Sequence, residues 1–127
     1  MAMREKGLDG RAFVLVIEDD AMIRMLTAEY IEDAGSEVLE AANADDAVRI
    51  LESPDDVRTI FTDINMPGSM DGLMLTHAIR DRWSTIQIIV TSGRTQLDER
   101  QLPVGTRFFV KPYNPEHLVE ALRDLPA

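Results

Sequence analysis

The sequence contains no cysteine, which excludes disulfides, thiolate nucleophiles and Cys-ligated zinc, and which a cytoplasmic protein tolerates easily. Positive charge is scarce: 13 Lys and Arg stand against 23 Asp and Glu, for a formal net charge of −10. Nucleic acid and anionic membranes are polyanions, so neither is an expected partner, whereas cations and basic protein surfaces fit. No stretch has the length of a membrane span or the layout of a signal peptide, and the expected location is the cytoplasm. With 127 residues, 45% of them hydrophobic, the chain suffices for one domain with a core and is too short for two.

What is present alternates in character. Residues 1–11 are polar and hold two glycines, which reads as a loose arm ahead of a domain over residues 12–127. Apolar runs of strand length follow at residues 13–17, 57–62, 86–91 and 108–110, and read as buried strands. Residues 36–41 are more polar, as befits a strand at a sheet edge. Between the runs lie segments of helical period. Ile23, Leu26, Tyr30, Ile31 and Ala34 share one helix face, with Gly35 as a stop signal. Ala47, Ile50 and Leu51 follow Asn43, a good N-cap, and Leu75, Ile79 and Trp83 mark a third helix. Asn114-Pro115 opens a last one with Leu118, Ala121, Leu122 and Leu125 inward. Residues 94–105 are weaker: Leu97 and Leu102 are the strongly apolar anchors, Pro103 stops any helix early, and Gly105 loosens the exit.

Buried strands joined by helix-length crossovers imply a parallel sheet with helices on both faces. The fold class is therefore α/β, doubly wound, with five strands, and ligands in such a fold bind at the carboxyl ends of the strands. Those ends collect Glu18, Asp19 and Asp20 after the first strand, Asp63 after the third, Thr91 and Ser92 after the fourth, and Lys111 after the fifth. Two unit charges about 4 Å apart repel by roughly 4 kcal/mol at an effective dielectric near 20. Glu18, Asp19 and Asp63 together therefore call for a cation, and an all-oxygen donor set favours Mg²⁺ or Mn²⁺ over zinc. Asp20, third in its row, reads more simply as the cap of the next helix. His77, His117 and Arg24 read as helix surface.

Four motifs carry a family resemblance: "VIEDD", "TDINMP", "VTSG" and "FVKPY", in that order, each at a strand end. From about residue 13 to 125 the chain resembles the receiver domain of two-component response regulators. The resemblance implies a flavodoxin-like fold with strand order 2-1-3-4-5. It implies that Asp63 is the phospho-acceptor, and that Glu18 and Asp19 form an acidic pocket for Mg²⁺, with Asp63 itself and the main-chain carbonyl of Asn65 as further ligands. Thr91 then contacts the phosphoryl group and Lys111 pairs with it. The switch position that is commonly aromatic is Phe108, so no Tyr hydroxyl takes part. The loop "NMPGSMDG" is one residue longer than usual between Pro67 and Asp71.

The implied partners are a sensor histidine kinase or histidine phosphotransferase and a downstream protein target, the latter bound through residues 94–101, 107–110 and 115–125. Such a domain is not an enzyme beyond its own phosphotransfer and dephosphorylation. A second reading is a pseudo-receiver, never phosphorylated, that acts as a docking module; it would ordinarily lack an acid or the lysine, and none is missing. A haloacid-dehalogenase-like phosphatase needs a second acid two residues after the nucleophile, where this chain has Asn65. The last residue, Ala127, follows the last helix closely, so output is expected through a partner, a relay or phosphate sequestration.

The carboxylate cluster makes a measurable expectation. Millimolar Mg²⁺ should raise the thermal midpoint, because a ligand bound only by the native state adds RT ln(1 + [L]/Kd). Asp63→Asn should be more stable than the parent without metal and gain less from it. Thermal melts of both proteins with and without Mg²⁺ check this, and midpoints indifferent to the ion in both would remove the pocket.

Overall fold

The apolar runs pair side by side and in parallel. In this computed structural model the strands are β1 (Phe13–Ile17), β2 (Glu37–Ala41), β3 (Val57–Asp63), β4 (Gln87–Ser92) and β5 (Arg107–Val110), in one sheet of order β2-β1-β3-β4-β5. The structure describes residues 12–64, 72–92, 99–110 and 115–123. The arm over residues 1–11 and the extended loop of residues 65–71 lie outside the described residues, as do Asn65, Leu97, Lys111, Asn114 and Leu125. β2 stands at the edge with Glu37 and Glu40 exposed, whereas central β3 exposes only Arg58.

The crossovers are α1 (Ala21–Asp33), α2 (Ala44–Leu51) and α3 (Gly72–Arg82), and α4 (Pro115–Arg123) follows β5. Their ends obey local chemistry. Asn43 Oδ1 accepts the Asp46 N–H at 2.8 Å and starts α2. Gly35, at φ +105°, ends α1: its N–H reaches Glu32 O at 2.9 Å and the Ser36 N–H reaches Ile31 O at 3.3 Å. That pair of bonds is the Schellman arrangement, whose left-handed residue glycine adopts most readily. Trp83 falls just past α3, with the Arg82 guanidinium 4.3 Å from its ring centre.

Two cores form, one on each face of the sheet. Leu15, Ile17, Ile60, Ile88 and Val90 pack with Ala47 and Leu51 of α2 and with Leu75 and Ile79 of α3. Val14, Val16, Phe61 and Ile89 pack with Ile31 of α1 and with Leu118 and Ala121 of α4. The alternation of side chains along each strand produces this division.

α1 departs from expectation. Its inward stripe is Thr27, Ala28 and Ile31, while Ile23, Leu26 and Tyr30 remain 42%, 57% and 38% exposed, beside exposed Met22 and Met25. The helix has apolar residues on more than one face, so hydrophobic spacing alone does not choose between them. The small Thr27 and Ala28 allow the closer approach to the sheet, and the bonds of Arg24 described below fix the rotation.

The crossover between β4 and β5 forms no α-helix in its described part. Residues Glu99–Gln101 make one 3-10 turn, and residues 93–98 lie outside the described residues. Leu102 enters the core beneath α3, Gly105 takes φ +86°, and the His77 ring Nε2 on α3 meets the Gln101 carbonyl at 2.5 Å. Pro103 explains the early stop, since it cannot donate to a continuing helix.

At the start of α3, backbone meets backbone. The Gly72 N–H donates to Ile64 O at 3.1 Å, and a Cβ at Gly72 would lie 2.4 Å from Ile64 Cα and 2.6 Å from Asp63 O. Asp63 ends the central strand and Ile64 directly follows it, so this backbone has little room to yield. Gly72→Ala should therefore destabilise the fold by about 1–3 kcal/mol, as overpacking does, and disturb the end of β3. Urea unfolding followed by circular dichroism measures the loss; an unchanged midpoint would show that α3 can shift freely.

Candidate functional site

Register sets the site. Ile17, the last residue of β1, pairs with Ala41 on one side and Thr62 on the other, so Glu18 and Asp63 come next at one level on adjacent strands. Asp63 pairs with Thr91 of β4, whose carbonyl accepts the Ile64 N–H at 2.9 Å. Glu18, Asp63 and Thr91 thus form a row across three strands, 6%, 8% and 1% exposed. Ser92 follows Thr91, equally buried, beside Val110 of β5.

The three consecutive acids have separate fates. Glu18 folds back so that its Oε2 accepts the Asp20 N–H at 3.1 Å. Asp20 caps α1, its Oδ1 taking the N–H groups of Met22 and Ile23 at 3.0 Å each, as the sequence led one to expect. Asp19 remains exposed at the mouth of the row. Two carboxylates less than a tenth exposed on neighbouring strands are costly without charge compensation, because desolvation penalises ions strongly.

Arg24 is not the plain surface residue that its helical position suggested. Its Nη1 donates to Glu18 O at 2.8 Å, its Nε lies 3.3 Å from Glu40 Oε1 of β2, and its side chain is only 20% exposed. A side chain on a helix points back toward the N-terminus. One turn after the Asp20 cap, that direction is toward the end of β1, the signal that could have revealed it. Gly72 was also missed, since its reason is a tertiary approach of two backbones.

Of the remaining sequence-derived residues, Phe108 stands beside Val90 and packs against the core that includes Leu102. Its neighbour Phe109 is the register partner of Thr91 and packs on the opposite face. Lys111 and the Asn65 carbonyl lie outside the described residues. His77 and His117 are exposed, as expected of helix surface.

Among the described residues no group of three His, Cys, Asp or Glu side chains is close enough to hold an ion unaided. The donors at the strand ends are carboxylate oxygens without sulfur or imidazole. That set suits Mg²⁺, which keeps several waters and takes one or two protein carboxylates, and does not suit a four-ligand zinc centre. Among the described residues no helix is long and apolar enough to cross a membrane.

Comparison with known proteins agrees with the fold. Residues 14–123 match the family described as response regulator receiver domain. The chain is similar to the transcriptional regulatory protein AruR of Pseudomonas aeruginosa, 37% identical over an alignment of 121 residues, with 88% of this chain and 48% of that protein covered. It spans about half the length of the curated relatives it matches. Among solved structures it resembles a response regulator receiver protein from Pseudomonas putida, with TM-score 0.81 and 29% identity over 91% of this chain and 98% of that one. It also resembles the chemotaxis protein CheY4 of Vibrio cholerae, with TM-score 0.78 and 28% identity over 92% of this chain and all of that one. A sheet of order 2-1-3-4-5 with an acid row at its carboxyl edge, together with a family match over most of the chain, places this protein among the response regulator receiver domains of two-component signalling.

Proposed function

We propose that the chain is a phospho-acceptor switch, which takes a phosphoryl group onto Asp63 from a histidine kinase or histidine phosphotransferase and then binds a downstream protein through an altered surface. The observation that carries this reading is the row Glu18, Asp63 and Thr91, which sets a buried carboxylate between an acid and a hydroxyl at the carboxyl edge of the sheet.

An Asp63 carboxylate oxygen attacks phosphorus in line, the P–N bond of the donor phosphohistidine breaks, and the imidazole keeps the electron pair. The product is an acyl phosphate. Little covalent assistance is required, since phosphoryl transfer depends mainly on positioning and charge neutralisation. Glu18, Asp19, Asp63 and the Asn65 carbonyl would hold Mg²⁺, which would supply part of that neutralisation. Lys111 supplies another positive charge, and the Thr91 hydroxyl donates to a phosphoryl oxygen. The burial of Asp63 and Thr91 strengthens the contacts that they make. Turnover is limited to the domain's own phosphotransfer and dephosphorylation, and the docking-only reading has no support, because Glu18, Asp19, Asp63 and Lys111 are all retained.

The donor protein has a landing surface beside the pocket. α1 begins at the capped acid turn and exposes Met22, Ile23, Met25, Leu26 and Tyr30, followed by exposed Glu29, Glu32 and Asp33. An apolar helix face with basic flanks complements it.

The phosphoryl group carries about −1.5 to −2 charge at neutral pH, in place of the single charge of the Asp63 carboxylate, which draws the Thr91 hydroxyl toward Asp63 and loads β5 through Phe109. Phe108 passes the change to the core around Leu102, and so to residues 94–101, 107–110 and 115–125. The 3-10 turn at Glu99–Gln101 is short, so little opposes its rearrangement.

Acetyl phosphate with Mg²⁺ should add the mass of one phosphoryl group to the intact protein and none to Asp63→Asn. Peptide mapping that locates the label on His77, His117 or a serine would contradict the assignment. Amide hydrogen exchange with beryllofluoride and Mg²⁺ should show protection gained across residues 99–110, while a change confined to the surroundings of Glu18 and Asp63 would exclude this route for the signal.

A further inference from the structure

The peptide of Glu18 is the last point at which β1 is tied to the sheet, and both of its polar groups are occupied. Its N–H continues the ladder to Ala41 O at 3.0 Å. Its carbonyl accepts from Arg24 Nη1 at 2.8 Å. The same guanidinium reaches Glu40 Oε1 at 3.3 Å, and Glu40 pairs in register with Val16. Arg24 therefore spans α1, the end of β1 and edge strand β2, while its own N–H holds Asp20 O at 2.9 Å, one turn past the cap. The planar guanidinium serves two acceptors at once in a fixed geometry, which a lysine ammonium on a flexible stem does not reproduce.

We propose that Arg24 is a positioning residue for the acidic pocket: by fixing the Glu18 carbonyl against β2 it sets the path of the Glu18–Asp20 turn, and with it the directions of the Glu18 and Asp19 carboxylates, before Mg²⁺ arrives. This rests on the pocket reading above. The Arg24 side chain bonds to the Glu18 carbonyl and to Glu40, not to Asp63, and so acts through the main chain. Two consequences of the residue oppose each other. Its positive charge, close to a cation pocket, disfavours Mg²⁺, whereas its grip on the turn favours Mg²⁺ by reducing the ordering that binding must impose. Outer partners that orient ligands are commonly worth 10–100-fold in metal affinity, so the grip outweighs a partly solvated charge held apart by an intervening peptide.

The test is calorimetric titration of the parent, Arg24→Ala, Arg24→Lys and Glu40→Gln with MgCl₂. Arg24→Ala should bind Mg²⁺ roughly 10-fold more weakly, although a positive charge has been removed, and Arg24→Lys should recover only part of the loss. Glu40→Gln, which frees one side of the guanidinium, should fall between the parent and Arg24→Ala. Labelling of Arg24→Ala by acetyl phosphate should return to the parent rate at saturating Mg²⁺, which a general loss of structure would not allow. Equal or tighter Mg²⁺ binding by Arg24→Ala overturns the proposal and leaves the pocket intact. If Arg24→Ala does not fold, Arg24→Lys decides, since it keeps the charge and loses the fork; an unchanged affinity there overturns the proposal. A parent protein that binds no Mg²⁺ overturns both the pocket reading and this one, and is distinguished by failing before any variant is compared.

Discussion

Two carboxylates ending neighbouring parallel strands, each less than a tenth exposed, constrain everything around them. Parallel pairing forces the issue: when Ile17 lies opposite Thr62, the residues after them emerge together at the same edge. Antiparallel neighbours would have sent those ends to opposite sides of the sheet. The concentration of negative charge is thus a property of topology, and the fold compensates with directed bonds and selective exposure. Asp20 is spent on the α1 cap, Glu18 is folded onto the turn, and Asp19 is left to water.

The two faces of the sheet have different tasks near this edge. On one, α3 begins against the backbone of Asp63 and Ile64, an approach that only a residue without Cβ permits. On the other, α1 is anchored by Thr27, Ala28, Ile31 and the Arg24 bonds, and its remaining apolar residues point to solvent. A helix so anchored presents an apolar face beside the acid row, the kind of exposed patch that marks transient contact with another protein more than permanent burial.

Away from the pocket the sheet edge is more lightly held. β5 has four residues, and the described crossover leading to it is one short turn attached through Leu102 and the His77 contact. Few buried contacts mean a small free-energy cost of local rearrangement. On the proposed function, a change of charge at Asp63 would be felt at the surface through an element of this kind.

Local chemistry in the chain was sufficient for much of this. Apolar runs marked the buried strands, polar residues marked β2 as an edge, Asn43 and Asp20 marked helix starts, Gly35 marked a stop, and Pro103 marked the interruption before β5. Strand alternation with helices required parallel pairing, and parallel pairing required Glu18, Asp63 and Thr91 to meet. These signals are legible because capping, turn conformation and side-chain period depend on residues a few positions apart. Only the tertiary structure decided the rest. It turned α1 so that Thr27, Ala28 and Ile31 face the sheet, put Arg24 across three elements, placed Phe109 rather than Phe108 opposite Thr91, and brought Gly72 onto the Asp63 backbone. Each of these depends on the rotation of a helix or the register of a strand against a partner distant in sequence, and a local pattern of residue types carries no information about that alignment.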